Sequence, residues 1–313
     1  MRLASTIGDF QRYCASSADA VRAYEGTGFK HLDYSFYNVI FPGSPFLGED
    51  WMKAVMDAGK AAEQLGFDFV QAHSPGNNPF ARDQDWDTVV KGNIRSIEAC
   101  GYLGIPNIVV HSGICPQYAY PDGKDGYFED NRRFYEALYP AMEKNHVNVL
   151  IENSARANMG GQYFFMTGQD MVDFIRFCGH PQLRACWDVG HANMQNPDQH
   201  GDLVTLGENL YAIHFQDNFG QHDDHIAPFM GTLDVDSVMR GLFDSGFVSR
   251  GGVFTFECDN ILSRPGGWPN FRNAFSGDKA KIPGPTLRLK REAIRLLYEI
   301  GREILEAYDC YEG

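Results

Sequence analysis

Along this chain, short runs of apolar residues rich in Val, Ile and Phe alternate with longer segments in which apolar positions recur every three to four residues. The first pattern suits buried β-strands and the second suits amphipathic helices. The alternation repeats eight times. Strands are expected at Arg2 to Ile7, Lys30 to Phe36, Phe67 to His73 and Asn107 to His111, then at Val147 to Glu152, Arg184 to Asp188, Leu210 to Phe215 and Gly252 to Glu257. The first helix is expected to open at Ser17 as its cap. Further helices are expected near Asp50 to Leu65, Trp86 to Leu103, Phe128 to Lys144, Gly168 to Cys178, Asp202 to Gly207 and Val235 to Ser245. Thr286 to Tyr308 closes the chain as a long amphipathic helix.

Regular β/α alternation implies a parallel sheet with helical crossovers, and eight units predict a closed (β/α)8 TIM barrel. No GxGxxG turn follows any strand, so no nucleotide cofactor is expected. No linker or charge block divides the chain, so residues 1–313 are expected to form one domain. Two long loops, 37–49 and 261–285, leave strand ends on the face where barrel active sites lie. The second carries Arg264, Trp268, Phe271, Arg272 and Phe275, and Trp268 is a candidate substrate wall.

Composition adds constraints. Forty-three per cent apolar and 13% aromatic residues describe a folded globular chain. Twenty-seven basic against 41 acidic residues give a net charge of −14, which disfavours non-specific attraction to nucleic acid or anionic membranes. No signal-length or membrane-length apolar run is present, and seven scattered cysteines without a CxxC pair suit a reducing compartment. A cytoplasmic location is therefore expected, with neither membrane nor nucleic acid as partner. Cys186 and Cys258 are expected to point away from the residues they flank.

The chemistry lies at the strand ends. Strands three to eight end in or near His73, His111, Glu152, Asp188 (with His191 three residues on), His214 and Glu257. A lone histidine there is most often a buried side chain bonded to backbone. Six in succession would converge on one pocket, where crowded carboxylates repel unless a cation holds them. Three carboxylates and one imidazole (Glu152, Asp188, Glu257, His214) form a hard, oxygen-rich set. It suits one divalent metal, Mn²⁺ first, with Mg²⁺, Co²⁺ or Zn²⁺ as alternatives.

These strand ends, the Asp188-x-x-His191 pair, and the stretch His214-Phe-Gln-Asp-Asn…Asp223-Asp-His225…Pro228…Gly231-Thr-Leu-Asp234 resemble the xylose isomerase-like barrel superfamily. Its members include sugar isomerases, epimerases of the tagatose 3-epimerase type, inosose dehydratase and endonuclease IV. The resemblance implies a metal held by Glu152, Asp188, His214 and Glu257, with Glu152 and Glu257 also acting as acid/base catalysts through a cis-enediolate. His191 would hold a substrate oxygen, and His73, His111, Asn153, Asp223 and His225 would contribute to substrate binding. Asn153 has the alternative of orienting Glu152. The implied partner is a small sugar or sugar derivative, and a homo-oligomer is expected. The keto-sugar epimerases carry an arginine soon after the strand-seven histidine; Asn218 to His222 has none, leaving the substrate open. The same enolate chemistry with a β-leaving group would give a lyase or dehydratase acting on keto-sugars or 3-keto-glycosides. A second alternative is an endonuclease IV-like enzyme with three metals on His73, His111, Glu152, Asp188, His191, His214, Asp223, His225 and Glu257. The acidic balance, with few basic residues in the strand-end loops (Arg82, Arg156, Arg264, Arg272, Lys279, Lys281), weighs against it.

Overall fold

The computed structural model describes residues 1–262 and 284–313. Its eight strands are β1 (Arg2–Thr6), β2 (His31–Ser35), β3 (Asp68–His73), β4 (Asn107–Val109), β5 (Asn148–Glu152), β6 (Leu183–Asp188), β7 (Leu210–His214) and β8 (Val253–Phe256). They form one sheet in the order β7-β6-β5-β4-β3-β2-β1-β8, and the neighbouring pairs are parallel. The ring closes just beyond β7. Phe215 N donates to Thr255 O at 2.8 Å, and Glu257 N donates to Phe215 O at 3.2 Å. The result is a (β/α)8 barrel with its helices outside, as the periodicity implied.

Helix boundaries follow local chemistry. Asp85 caps Trp86–Leu103 by accepting from Thr88 N, and the helix stops at Gly104, whose φ of 71° is one glycine adopts without strain. Three expectations need correction. The first long helix is Ser17–Ala23, and its cap is Ser16, which accepts from Asp19 N. The segment expected as one helix over Phe128 to Lys144 is two, Lys124–Glu136 and Tyr139–Asn145. Pro140 has no N–H to give the carbonyl of Glu136, so the ladder breaks there. The helix expected at Asp202 to Gly207 is His200–Leu206, and an unanticipated single turn, Val189–Asn193, directly follows β6.

Two bulges set which side chains face the barrel axis. Between β2 and β3 the register passes from Leu32/Phe69 to Asp33/Gln71, leaving Val70 as an extra residue. Between β6 and β7 it passes from Ala185/Leu210 to Cys186/Ala212, leaving Tyr211 over. Because strand side chains alternate, one extra residue reverses the phase of everything after it. Without Val70 and Tyr211, His73 and His214 would point outward.

Tyr34 and Phe36, on and just past β2, pack away from the barrel mouth. They stack on each other at 4.4 Å, and Tyr34 meets Phe69 on the helix side of the sheet. The loop after β2 is pinned to the Trp86–Leu103 helix, where Arg95 donates to the carbonyls of Phe46 and Gly48 and lies over Trp51. Most of the loop after β8, with Arg264, Trp268, Phe271, Arg272, Phe275, Lys279 and Lys281, lies outside the described residues. Among the described residues, no helix is long and apolar enough to cross a membrane.

Candidate metal centre

At the carboxyl ends of β5 to β8 the structure gathers Glu152, Asp188, His214 and Glu257, with one donor atom from each within 4.8 Å of the others. The first three are 2% exposed or less. Each hangs from a strand end or the residue just past one, so the barrel itself holds the spacing.

Asp188 shows best how the local sequence builds the site. Its Oδ1 accepts from His191 N at 2.6 Å, capping the Val189–Asn193 turn, and from Gln216 Nε2 at 3.2 Å. The Asp-x-x-His spacing is thus also a helix-capping spacing. Asp188 Oδ2 is buried and meets no donor among the described residues. Burial, first among the causes, pushes this carboxyl up to about 6. A fully buried acid oxygen facing other acid groups fits a cation. Gly190 is required where it stands, since a Cβ there would lie 2.1–2.3 Å from the Gln216 amide.

The remaining donors form a continuous network. Glu152 contacts His214 Nδ1 through Oε1 and His111 Nε2 through Oε2, both at 2.5 Å. Glu257 Oε2 lies 3.2 Å from His214 Nδ1. Burial opposes ionisation of both glutamates, but the imidazoles prevail. His214 and His111 hold Glu152 well below its ordinary range, and His214 with His225 brings Glu257 down to about 2. His214 itself is raised, with Cys186, Glu257 and Glu152 outweighing its burial.

Two further donor groups adjoin this one. His73 and His111 approach at Nε2–Nε2 3.2 Å, beside Glu152. Burial, with His111, pushes His73 down to about 4, leaving it neutral. On the other side Asp223 lies between His191 (Nε2–Oδ2 3.1 Å) and His225 (Nε2–Oδ1 3.2 Å). His73, His191 and His225 each point Nδ1 at a backbone carbonyl, those of Ser74, Asn153 and Glu257. A carbonyl only accepts, so Nδ1 carries the proton and Nε2 faces the pocket, as metal-site histidines are commonly held.

The structure thus brings together His73, His111, Glu152, Asp188, His191, His214, Asp223, His225 and Glu257; Trp268 lies outside the described residues. Asn153 stands beside Asp188 rather than in the pocket. It donates to Asp188 O at 2.9 Å and accepts from Asp188 N at 2.7 Å, so its amide clamps the Asp188 backbone. Cys186 is a correction. It is two residues before Asp188, hence on the same face, and its thiol lies with Glu152 and His214 in the barrel interior. Cys258, adjacent to Glu257, does point away, toward the carbonyls of Phe215 and Ile226. Two contributors had not been singled out. Tyr37 sets its ring 5.4 Å from His73 and 6.4 Å from His111. Gln216 spans Asp188 Oδ1 and Asp223 Oδ1, the latter at 2.8 Å. Its place two residues after His214 was the available signal.

Comparison with known proteins places this architecture. A family model described as a xylose isomerase-like TIM barrel matches residues 28–270. An uncharacterized protein, y4fM, from Sinorhizobium fredii is 27% identical over 150 residues; the match covers 47% of this chain and 46% of that protein, so the chain spans about half of that relative's length. Among solved structures, a D-psicose 3-epimerase with D-tagatose from Clostridium cellulolyticum H10 superposes with a TM-score of 0.68 at 16% identity, covering 97% of this chain and 99% of that one. The IolI protein with a bound zinc atom superposes with a TM-score of 0.72 at 14% identity, covering 98% and 99%. At these identities the superpositions establish the shared fold.

Proposed function

The chain belongs to the xylose isomerase-like TIM barrel family, and from that premise we propose that it is a divalent-metal-dependent sugar isomerase or epimerase. One observation carries the metal. Asp188 Oδ2 is a fully buried acid oxygen without a donor among the described residues, and Glu152, His214 and Glu257 converge on the same point. Glu152, Asp188, His214 and Glu257 would hold one Mn²⁺-type ion. When bound, the ion would polarise a sugar carbonyl and stabilise the charge left by loss of the adjacent proton.

The chain's own residues move that proton. Glu152 at the end of β5 and Glu257 just past β8 reach the centre from strands separated by β6 and β7. Each is held ionised by imidazoles, so either can accept a proton at neutral pH. Return from the opposite side inverts the carbon; transfer by one glutamate between neighbouring carbons isomerises the sugar. His191 is fixed at Nδ1 by Asn153 O and at Nε2 by Asp223 Oδ2, and would hold a substrate oxygen from that edge, while Tyr37 covers the His73–His111 side. The D-tagatose bound to the psicose epimerase supports a small keto-sugar as the substrate class.

The test is incubation of metal-loaded protein with keto-sugars, sugar phosphates and 3-keto-glycosides in deuterated water. Deuterium at a single carbon is the expected result; none with any member of the panel defeats the proposal. A second reading, an endonuclease IV-like enzyme, is favoured by a separate observation: all three donor groups are assembled around Glu152 and Asp223. Three metals per chain with cleavage of abasic-site DNA would establish it, and one metal per chain would remove it.

A further inference from the structure

One step below the metal donors, the barrel interior is divided. On β4 to β7 it is apolar, with Val109, Leu150, Cys186 and Ala212 forming one buried cluster. On the other side it is polar, with Asp33 on β2, Gln71 on β3 and Thr255 on β8, beside Thr6 at the end of β1. These four are 1%, 3%, 1% and 6% exposed. The Val70 bulge turns Gln71 inward opposite Asp33. Thr255 Oγ1 donates to Gln71 Oε1 at 3.4 Å.

Asp33 is the anomaly. Neither of its carboxylate oxygens meets a donor at hydrogen-bonding geometry among the described residues, and Gln71 Nε2 is unpartnered as well. Two other buried acids, by contrast, have compensation. Asp9 has the fully buried Lys290 ammonium at 3.1 Å and the Ser5 and Tyr24 hydroxyls at 2.8 Å; Asp223 has two imidazoles. Around Asp33, the neutral Thr6 and Gln71 side chains lie close enough to favour the ionised form, without bringing a charge. Burial is the largest cause acting against its ionisation; the His214 imidazole favours the charged form and Glu257 opposes it. The carboxylates of Glu152, Asp188 and Glu257 gather above Asp33. A second bare carboxylate beneath would be costly. A polar group left unpartnered this deep commonly marks a bound water or ion.

We infer that Asp33, with the side-chain oxygens of Thr6, Gln71 and Thr255, forms a buried site for a monovalent alkali cation, K⁺ or Na⁺, separate from the divalent centre. The donor chemistry sets the class. Hard oxygens with a single formal charge match an alkali ion, and no imidazole or thiolate is among them to recruit Zn²⁺ or Mn²⁺. The ion would neutralise Asp33 and bridge β1, β2, β3 and β8, the strands that carry no donor of the central set except Glu257 just past β8.

The inference does not depend on sugar chemistry, and its test needs no substrate. The full chain is unfolded thermally at pH 7.5 in 100 mM KCl, NaCl or tetramethylammonium chloride, both with Mn²⁺ and with EDTA. Tm is expected to stand about 5 °C higher in one or both alkali salts, as for a ligand well above its Kd, and to saturate with concentration. The difference should vanish in Asp33→Asn, which keeps the shape and removes the charge. Equal Tm values in the three salts overturn the inference and leave Asp33 protonated or hydrated. An alkali-specific rise that survives in Asp33→Asn also overturns it by placing the ion elsewhere. If that variant does not fold, Thr255→Val serves, since loss of one donor oxygen should move the salt midpoint about tenfold. An unmoved midpoint counts against the site.

Discussion

The central and outer donor groups share a bridging residue and a common wall, yet they stand in opposite conditions. In the outer group, both oxygens of Asp223 are engaged. Oδ1 faces Gln216 Nε2 and His225, and Oδ2 faces Asn158 Nδ2 and His191. One carboxylate between two imidazoles can satisfy itself with protons alone; although burial opposes ionisation, His225 and His191 hold Asp223 well below its ordinary range. The central group has three carboxylates and one imidazole, and Asp188 Oδ2 faces them bare. Protons settle the outer group, while the central one is left short of positive charge. Residue types alone place the two side by side as metal sites; the hydrogen-bond balance tells them apart.

The largest effect should come from Asp188→Asn. Loss of a charged ligand is expected to weaken Mn²⁺ binding by about 100-fold or more, beyond the 10–100-fold typical of residues that merely orient a ligand. Calorimetric titration checks this on protein shown folded by circular dichroism. The same variant should melt in EDTA at an equal or higher temperature than the parent, because it replaces a buried charge lacking a donor with a neutral amide. An Asp188→Asn protein that binds Mn²⁺ normally would move the centre elsewhere.

Proton competition sharpens the contrast at intermediate size. Burial raises the Asp188 carboxyl to about 6, above its unfolded value. Without metal the folded state therefore holds this proton more tightly than the unfolded chain, and the group costs stability as pH rises from about 4 to about 6. Metal binding expels that proton. It also requires His214, raised by its acidic neighbours, to become neutral. Both requirements favour metal at higher pH, so the Tm difference between Mn²⁺ and EDTA should widen from pH 5 to pH 8. A flat or narrowing difference would exclude Asp188 and His214 as ligands.

The parts of this contrast that were legible in the sequence are those that follow from strand periodicity. His73, Glu152, Asp188 and His214 end their strands, while His111 and Glu257 lie just past theirs; eight parallel strands in a barrel bring such ends together. Asp223 and His225 sit in an irregular loop with no periodicity, and only the family resemblance pointed to them. The bulges at Val70 and Tyr211 were invisible because an extra residue leaves composition unchanged while reversing side-chain phase. Asn153 and Gln216 act through amides whose partners lie 35 and 28 residues away, Asp188 in each case. Cys186 stands two residues before Asp188, so strand alternation alone puts its thiol inside the barrel.

The smallest expected change on metal binding tests the comparison most directly. Asp223→Asn removes the one carboxylate of the outer group but keeps an acceptor for His191 or His225. Two buried imidazoles lose their counter-charge, so stability should fall by about 3 kcal/mol. If the outer group is held by protons alone, stoichiometry should remain one Mn²⁺ per chain with Kd changed by no more than about threefold, the residual effect passing through Gln216, which also touches Asp188. Equilibrium dialysis with metal analysis reads both quantities. A parent binding three ions and a variant binding two would make the outer group a metal site and shift the functional reading toward phosphodiester cleavage. One ion in both proteins leaves Asp223 as the anchor that aligns His191 and His225 beside a mononuclear centre.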